Sequence, residues 1–488
     1  MVLVFPFQLA SLQFARAQHS VHPTGGSRRV FKLFARLEVG SDKAALSRPA
    51  HQRVTHTVGL PLNSCFKDVR REEVLIARPS KEATMCRYSY IDVVRLSVVV
   101  LSLMLAGCGG PSQSVTQAPT VMESPPPSPT LEAEGPDSKI DRILNFLTER
   151  EAFTDAVLVA RNGEVLLSQG YGLADRDKNL PNTPQTKYRL GSITKQFTAM
   201  AILMLQAQNK LKVQDPVCRY LPECPATWQD ITIHHLLTHT SGIPDFTDFP
   251  DYEKTTATPS SPLQTMARFK DKPLDFKPVE QWSYSNSGYI VLGYIIEQAS
   301  GQSYETFLQQ NIFERVQMKN TGYDHNDGSS ATGYTGFYDR WEKVDYMDMT
   351  IPYAAGGLYS TIEDLYRWDQ VLYTEQLIPR DLLNLMFTSQ ASTPIISLGY
   401  GYGWFVGKMN NHQVVSHGDG ILNSAAVSRS YTSNSGNGPQ GNTDIEGFAT
   451  EIRRYTDDKV TIIILSNRDT TNVGTISDQI AQVVLGEP

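Results

Sequence analysis

The chain contains no run of about twenty apolar residues, so no segment is long enough to cross a bilayer as a helix. It also lacks a long basic run. Its 44 Lys and Arg stand against 51 Asp and Glu, a net charge of −7, and that balance excludes nucleic acid as the main partner. Cysteine is scarce, five residues in 488, and Cys218 and Cys224 have no paired histidines nearby, which argues against zinc. His234 and His235 sit inside an apolar run and read as helix-face residues rather than metal ligands. What is present is 40 % hydrophobic residues, enough for a sizeable core, and a length that allows two or three domains.

Charge is spread unevenly. Residues 1–84 hold 13 Lys and Arg against 6 Asp and Glu, and four of the ten histidines, with no sustained period of 2 or 3.6. No fold is assigned to them. Residues 96–108, LSVVVLSLMLAGC, form an apolar run with Arg87 and Arg95 upstream, the length of a signal-peptide core. Its end, Leu105-Ala106-Gly107-Cys108, resembles a bacterial lipoprotein cleavage box, in which the cysteine thiol accepts the lipid. The plainer alternative is a buried apolar strand or helix. Because such signals act near an N-terminus, the expectation is that Met85 is the true start, that 85–108 is the signal peptide, and that 1–84 is not part of the native protein. The mature chain would then be exported and lipid-anchored at Cys108 to a bacterial cell envelope, in the periplasm or on the outer surface. Residues 109–136 are rich in Pro, Ser, Thr and Gly and read as a disordered tether. In an oxidising, exported setting Cys218 and Cys224, with five residues between them, pair as a disulfide; two free thiols are the alternative.

A folded domain is expected over 137–488. Residues 140–151 read as a helix, and 156–160 and 164–169 as strands joined by Asn162-Gly163, a strong hairpin signal. The nearly all-apolar 197–205 reads as a buried helix. Residues 210–395 lean helical. Strands return at 402–406, 413–416, 451–455 and 460–465, followed by a helix at 476–484. Strands at both ends with helices between them imply one α/β (α+β) domain whose sheet is completed by both ends of the chain, with an inserted helical domain.

Three short motifs carry chemistry. Ser192-Ile193-Thr194-Lys195 places a hydroxyl and an amine three residues apart, on one face of a helix. A second Ser-x-x-Lys, Ser64–Lys67, has no buried helix behind it and is read as chance. Tyr284-Ser285-Asn286 is the only Tyr-x-Asn among 22 tyrosines; it offers a phenol that can move a proton and an amide that both donates and accepts. His417-Gly418-Asp419-Gly420 ends a strand in an imidazole and glycines, leaving backbone N–H groups for an oxyanion. Taken singly, a surface turn explains each of the last two as well.

In this order the three motifs resemble the serine β-lactamase and penicillin-binding protein family, nearest the class C and D-Ala-D-Ala carboxypeptidase branch. LLTHTSGI at 236–243 and GGLYSTIEDL at 356–365 are similar to that family too. The resemblance implies the β-lactamase/transpeptidase-like fold, an antiparallel sheet flanked by helices. It implies Ser192 as nucleophile, Lys195 and Tyr284 as its proton-handling partners, and no metal or organic cofactor. Asn286, His417, Gly418 and Gly420 would bind substrate, His417 in place of the family's lysine and the Gly420 N–H in the oxyanion hole with that of Ser192. As a neutral base Lys195 needs its pKa, ~10.4 when free, brought to about 7, a destabilisation of the ammonium by roughly 4 kcal/mol; the alternative is that Tyr284 is the base. His239 reads as structural, and Gly356-Gly357 as a site of tight packing.

The chain departs from the family pattern twice. Asp419 stands where glycine is usual, and residues 422–445 interrupt it: without them the chain reads HGDGIEGF. This stretch is polar and rich in Asn, Gly and Ser, and reads as a disordered insertion at the mouth of the site. The expected activity is hydrolysis of an ester, an amide or a D-Ala-D-Ala-type peptide through a Ser192 acyl-enzyme, with β-lactam hydrolysis possible. The competing reading is a penicillin-binding sensor lipoprotein that is acylated slowly without efficient turnover. The partners expected are a small-molecule or peptide substrate and a membrane reached through the lipid, with the protein itself a monomer.

Overall fold

The computed structural model describes residues 135–150, 153–336, 340–395, 397–418 and 445–486. The expectations for 1–84, the signal peptide, Cys108, the tether, Ser64–Lys67, Asp419, Gly420 and 421–444 lie outside the described residues.

Helix α1 (Pro136–Glu149) leads into a hairpin of β1 (Asp155–Arg161) and β2 (Glu164–Gly170). Asn162 and Gly163 take φ of 54° and 82°, the pair of positive values a two-residue hairpin turn needs. Helices α2 (Thr194–Ala207), α3 (Asn286–Ser300) and α4 (Ile362–Val371), with shorter helical turns, fill the chain between β2 and the next strand of the main sheet. Then come β3 (Ala391–Ser392), β4 (Leu398–Tyr400), β5 (Phe405–Met409), β6 (His412–Gly418), β7 (Ala449–Tyr455), β8 (Val460–Ser466) and α5 (Val473–Leu485). The eight strands form one antiparallel sheet in the order β3-β4-β5-β6-β7-β8-β1-β2. The early hairpin therefore closes against the late strands, Val157 opposite Ile464.

Strands β1 and β8 are apolar almost throughout because both faces of the sheet are covered. Val157, Val159, Val460, Ile462 and Ile464 pack on one side with Ile140 and Leu144 of α1 and Ile476, Ile480 and Val484 of α5. Ala156, Leu158, Ile463 and Leu465 pack on the other with the inserted helices. Those helices share one continuous core with the sheet. α2 is buried along its length from Thr194 to Leu205, as expected of a helix apolar on every side. A buried ion pair ties α4 to the sheet: Asp369 accepts from Arg454 Nε and from the Thr461 hydroxyl. Cys218 and Cys224 are joined in a disulfide with Cα atoms 5.1 Å apart.

Of the boundaries that move, two have a plain local reason. The first helix starts four residues earlier, with Pro136 in its first turn, where the missing N–H costs nothing. The strand expected at 402–406 begins at Phe405 instead, because Gly401 N–H bonds Trp404 O and closes a tight turn. Gly403 there has φ of 74°, and a Cβ on it would stand 2.8 Å from Lys195 O. The sheet gives way at this point to let the N-terminal end of α2 approach.

Asp155, fully buried at the head of β1, is a local weakness. Its Oδ1 accepts from Thr154 N–H at 3.1 Å, and the Ser466 side chain also favours its charged form. Burial raises its pKa from 3.8 to about 7, against the pull of the Ser466 side chain, the Thr154 amide and the Arg468 charge. The unfolded chain thus releases this proton near pH 4 while the folded one holds it to about pH 7. The resulting contribution to stability is complete below pH 4 and is lost as pH rises toward 7. Asp155→Asn should remove this dependence. Denaturant unfolding at pH 5 and pH 8 should show the variant gaining about 3 kcal/mol on the wild type between the two.

Candidate active site

Ser192 sits in a tight turn, Gly191–Ile193, that runs directly into α2. Backbone on either side holds the turn: Leu190 N–H bonds Leu358 O, and Leu190 O accepts from the Thr450 hydroxyl of β7. Ser192 is 8 % exposed, and Lys195, one turn further on, is completely buried. The Lys195 amine lies 2.8 Å from Ser192 Oγ, 2.7 Å from Asn286 Oδ1 and 3.0 Å from Ala355 O. The last two groups only accept, so two Lys195 N–H bonds are committed to them in either protonation state. What faces Ser192 is then a third N–H of the ammonium or the lone pair of the neutral amine. From the other side the Tyr284 hydroxyl donates to Ser192 Oγ at 2.7 Å. Ser192, Lys195, Tyr284 and Asn286 thus converge, although 91 residues separate Lys195 from Asn286.

Tyr284 and Asn286 are placed by the way α3 begins. Asn286 is its first residue, and Ser285, the cap, makes no side-chain bond to the helix. Asp245 takes that part: its Oδ2 accepts both the backbone N–H and Nδ2 of Asn286, each at 3.0 Å. His239, at φ 58°, accepts Ser285 N–H on Nδ1 at 3.0 Å and lies flat against the Tyr284 ring, centroids 4.3 Å apart. Burial first, then the charge of Lys195, pushes its pKa well below the usual histidine value, so the ring is neutral. His239 is structural in the sense expected: it backs Tyr284 without touching Ser192. Gly356 and Gly357 are packing glycines as expected, with Pro352 Cβ 3.1 Å and Tyr353 O 2.7 Å from where their Cβ atoms would be.

His417, expected to bind substrate, is the penultimate residue of β6 and is 1 % exposed. Nδ1 accepts from Gly418 N–H at 2.8 Å, so the proton is on Nε2, which lies 2.8 Å from the Tyr400 hydroxyl and donates to it. Burial, then Lys195, pushes its pKa well below the usual value. Both ring nitrogens are thus engaged inside the fold, and the charged form of the ring is disfavoured. Gly418 is held where only glycine fits: φ is 120°, and a Cβ would sit 2.1 Å from Thr450 O. Gly420, the other expected oxyanion donor, lies outside the described residues. Ile445, the last residue of the expected insertion, is within the described residues: it is buried and packs 3.7 Å from the Cβ position of Gly191 and 3.6 Å from that of Gly356.

Asp245, Ala355 O and Tyr400 belong to the site but to none of the motifs. Asp245 looks like an ordinary turn cap, bonding Thr247 N–H, and nothing local announces its second task. Among the described residues no group of three His, Cys, Asp or Glu could hold a metal ion, and no helix is long and apolar enough to cross a membrane.

An antiparallel sheet covered by helices, with Ser-x-x-Lys at the head of a buried helix and Tyr-x-Asn facing it, is the architecture of the β-lactamase and transpeptidase class of serine hydrolases. This chain belongs to the beta-lactamase family, whose model matches residues 140–486. It is 28 % identical over 370 residues to penicillin-binding protein 4* of Bacillus subtilis, covering 72 % of this chain and 76 % of that protein. An octameric penicillin-binding protein homologue from Pyrococcus abyssi matches with a TM-score of 0.60 at 27 % identity, over 72 % of this chain and 77 % of that one. D-amino acid amidase from Ochrobactrum anthropi also gives 0.60, covering 72 % of this chain and 99 % of the amidase, and at 19 % identity the likeness is one of fold.

The convergence on one oxygen makes a direct prediction. Tyr284→Phe keeps the ring that His239 stacks on and removes only the hydroxyl. It should slow modification of Ser192 by p-nitrophenyl acetate, followed by intact mass, about 10²–10⁴-fold while the protein remains folded.

Proposed function

We propose that the protein forms an acyl-enzyme at Ser192 with a neutral ester or amide and passes the acyl group to water. The observation that carries this reading is the placing of Lys195 Nζ and Tyr284 Oη at 2.8 and 2.7 Å from Ser192 Oγ. In acylation, Oγ bonds the substrate carbonyl carbon, its proton passes to the Lys195–Tyr284 pair, and the pair returns the proton to the departing alcohol or amine. Water then attacks the ester with the same pair as base. Ser192 N–H and, as the family resemblance implies, Gly420 N–H stabilise the oxyanion.

The substrate class rests on His417. Where the family resemblance sets a cation for a substrate carboxylate, this chain presents a neutral, internally bonded imidazole. A substrate without a free carboxylate beside the scissile bond suits that wall better. Intact mass and product release should be followed with a p-nitrophenyl ester, with a penicillin, and with an acyl-D-Ala-D-Ala peptide beside its C-terminal amide, each against Ser192→Ala. The ester should turn over in a Ser192-dependent way, and the amide should exceed the free acid about tenfold or more in kcat/KM. The likeness to penicillin-binding protein 4* keeps penicillin among the probes. A penicillin adduct that persists, without turnover of any ester or amide, would replace the hydrolase by a slowly acylated sensor; a preference for the free acid would restore the carboxypeptidase reading.

Export with a lipid anchor at Cys108 is part of the same proposal, supported by the apolar run, the Leu-Ala-Gly-Cys box and the Pro- and Ser-rich stretch after it. In a bacterial host, labelled palmitate should enter the protein and Cys108→Ala should abolish the label; label that survives the substitution places the lipid elsewhere.

A further inference from the structure

Asp245 meets Asn286 across 41 residues of sequence, and the contact has one consequence for the chemistry. A carboxylate only accepts hydrogen bonds, whereas the two ends of an amide are alike in shape and opposite in polarity. Since Asp245 Oδ2 takes the Nδ2 proton of Asn286, Oδ1 of the same amide must point the other way, where it lies 2.7 Å from Lys195 Nζ. Turned over, the amide would set its NH2 against the amine and its oxygen against the carboxylate. The backbone fixes the partners. Ser285 Oγ donates to Ile243 O at 3.0 Å, Ser287 Oγ donates to Pro244 O at 2.7 Å, and Phe246 N–H donates to Ser287 Oγ at 2.9 Å. The loop that carries Asp245 and the start of α3 are thereby laced together on both sides of the contact.

We propose that Asp245 is a positioning residue for acyl transfer: it selects the orientation of the Asn286 amide that presents an oxygen to Lys195, and so aims the amine at Ser192. The inference rests on the reading that Ser192 is acylated with the help of Lys195. It separates from mere loop stability by one substitution. Asparagine at 245 must turn its own oxygen toward the Asn286 backbone N–H, which can only donate, and that oxygen can then also accept from Nδ2. Asp245→Asn therefore removes the charge and keeps the orientation. Asp245→Ala removes both.

The experiment measures kcat/KM for p-nitrophenyl acetate with the full chain and its Ser192→Ala, Asp245→Ala, Asp245→Asn, Asn286→Ala and Asp245→Ala/Asn286→Ala variants. Asp245→Ala should lose about 100-fold, the scale of a misaimed reacting group. Asp245→Asn should recover to within about fivefold of the wild type. In the Asn286→Ala background, Asp245→Ala should cost nothing more, because its effect runs through that amide. If the alanine variant does not fold, Asp245→Ser takes its place: a hydroxyl still caps the helix but both donates and accepts, selects no orientation, and should lose activity as alanine does. Full activity in Asp245→Ala, an asparagine variant as impaired as alanine, or losses that multiply in the double variant would each overturn the proposal. Wild-type activity no greater than that of Ser192→Ala would instead overturn the reading beneath it.

Discussion

A fully buried lysine is the constraint around which the catalytic half of this fold is built. An amine withdrawn from water is costly unless its N–H bonds are met, and Lys195 finds acceptors from three separate parts of the chain: Ser192 on its own helix, Asn286 at the head of α3, and Ala355 O in the turn before Gly356. The rings of Tyr284 and Tyr289 add their faces at 4.8 and 5.5 Å. Each acceptor demands something of its surroundings. Ala355 O is brought in by a turn that holds Tyr353 at φ 40°, a strained value for a tyrosine. Asn286 needs its amide turned the right way, which its contact with Asp245 does.

Burial, reinforced by the same lysine, sets the state of its neighbours. His239 and His417 are both buried, and both are held neutral by burial and by Lys195. Their hydrogen bonds agree: each accepts a backbone N–H on Nδ1, from Ser285 and from Gly418, and so carries its proton on Nε2. They serve as shaped, uncharged walls, one behind Tyr284 and one at the end of β6. An imidazole in this setting resists protonation, so the proposed choice of a neutral substrate rests on this wall rather than on the motifs shared with the family.

How much of this could be read from the sequence follows from the range of the forces involved. The Asn162-Gly163 hairpin, the buried α2 and the apolar β1 and β8 are local patterns, and their elements stand within a few residues of where periodicity puts them. Ser192 and Lys195 were legible because one helical turn brings them together. Tyr284 and Asn286 were legible through family resemblance rather than through spacing. The exact place of β5 was not, because Gly401 and Gly403 answer to the approach of α2 and not to strand propensity. Asp245 was hidden for the same reason: as an Asp after Pro it satisfies every local rule for a turn, and its second partner lies 41 residues away. His417 was found but its charge was not, since charge depends on burial and on Tyr400, and neither shows in His-Gly.

The point at which the chain departs most from its family can be bounded from its two fixed ends. Gly418 is pinned in the sheet opposite Glu451, with no room for a side chain against Thr450 O. Ile445 is pinned in the core beside Gly191 and Gly356, on the turn that carries Ser192. Gly418 and Ile445 bound a stretch of 26 residues that lies outside the described residues. Closing a loop of that length costs little more entropy than closing a much shorter one, since the cost grows only with the logarithm of length. Both described ends are fixed by packing, and the packing at one end is that of the active site itself. A change at Ile445 would reach Gly191, and through it Ser192, whereas a change of loop length between the two anchors need not.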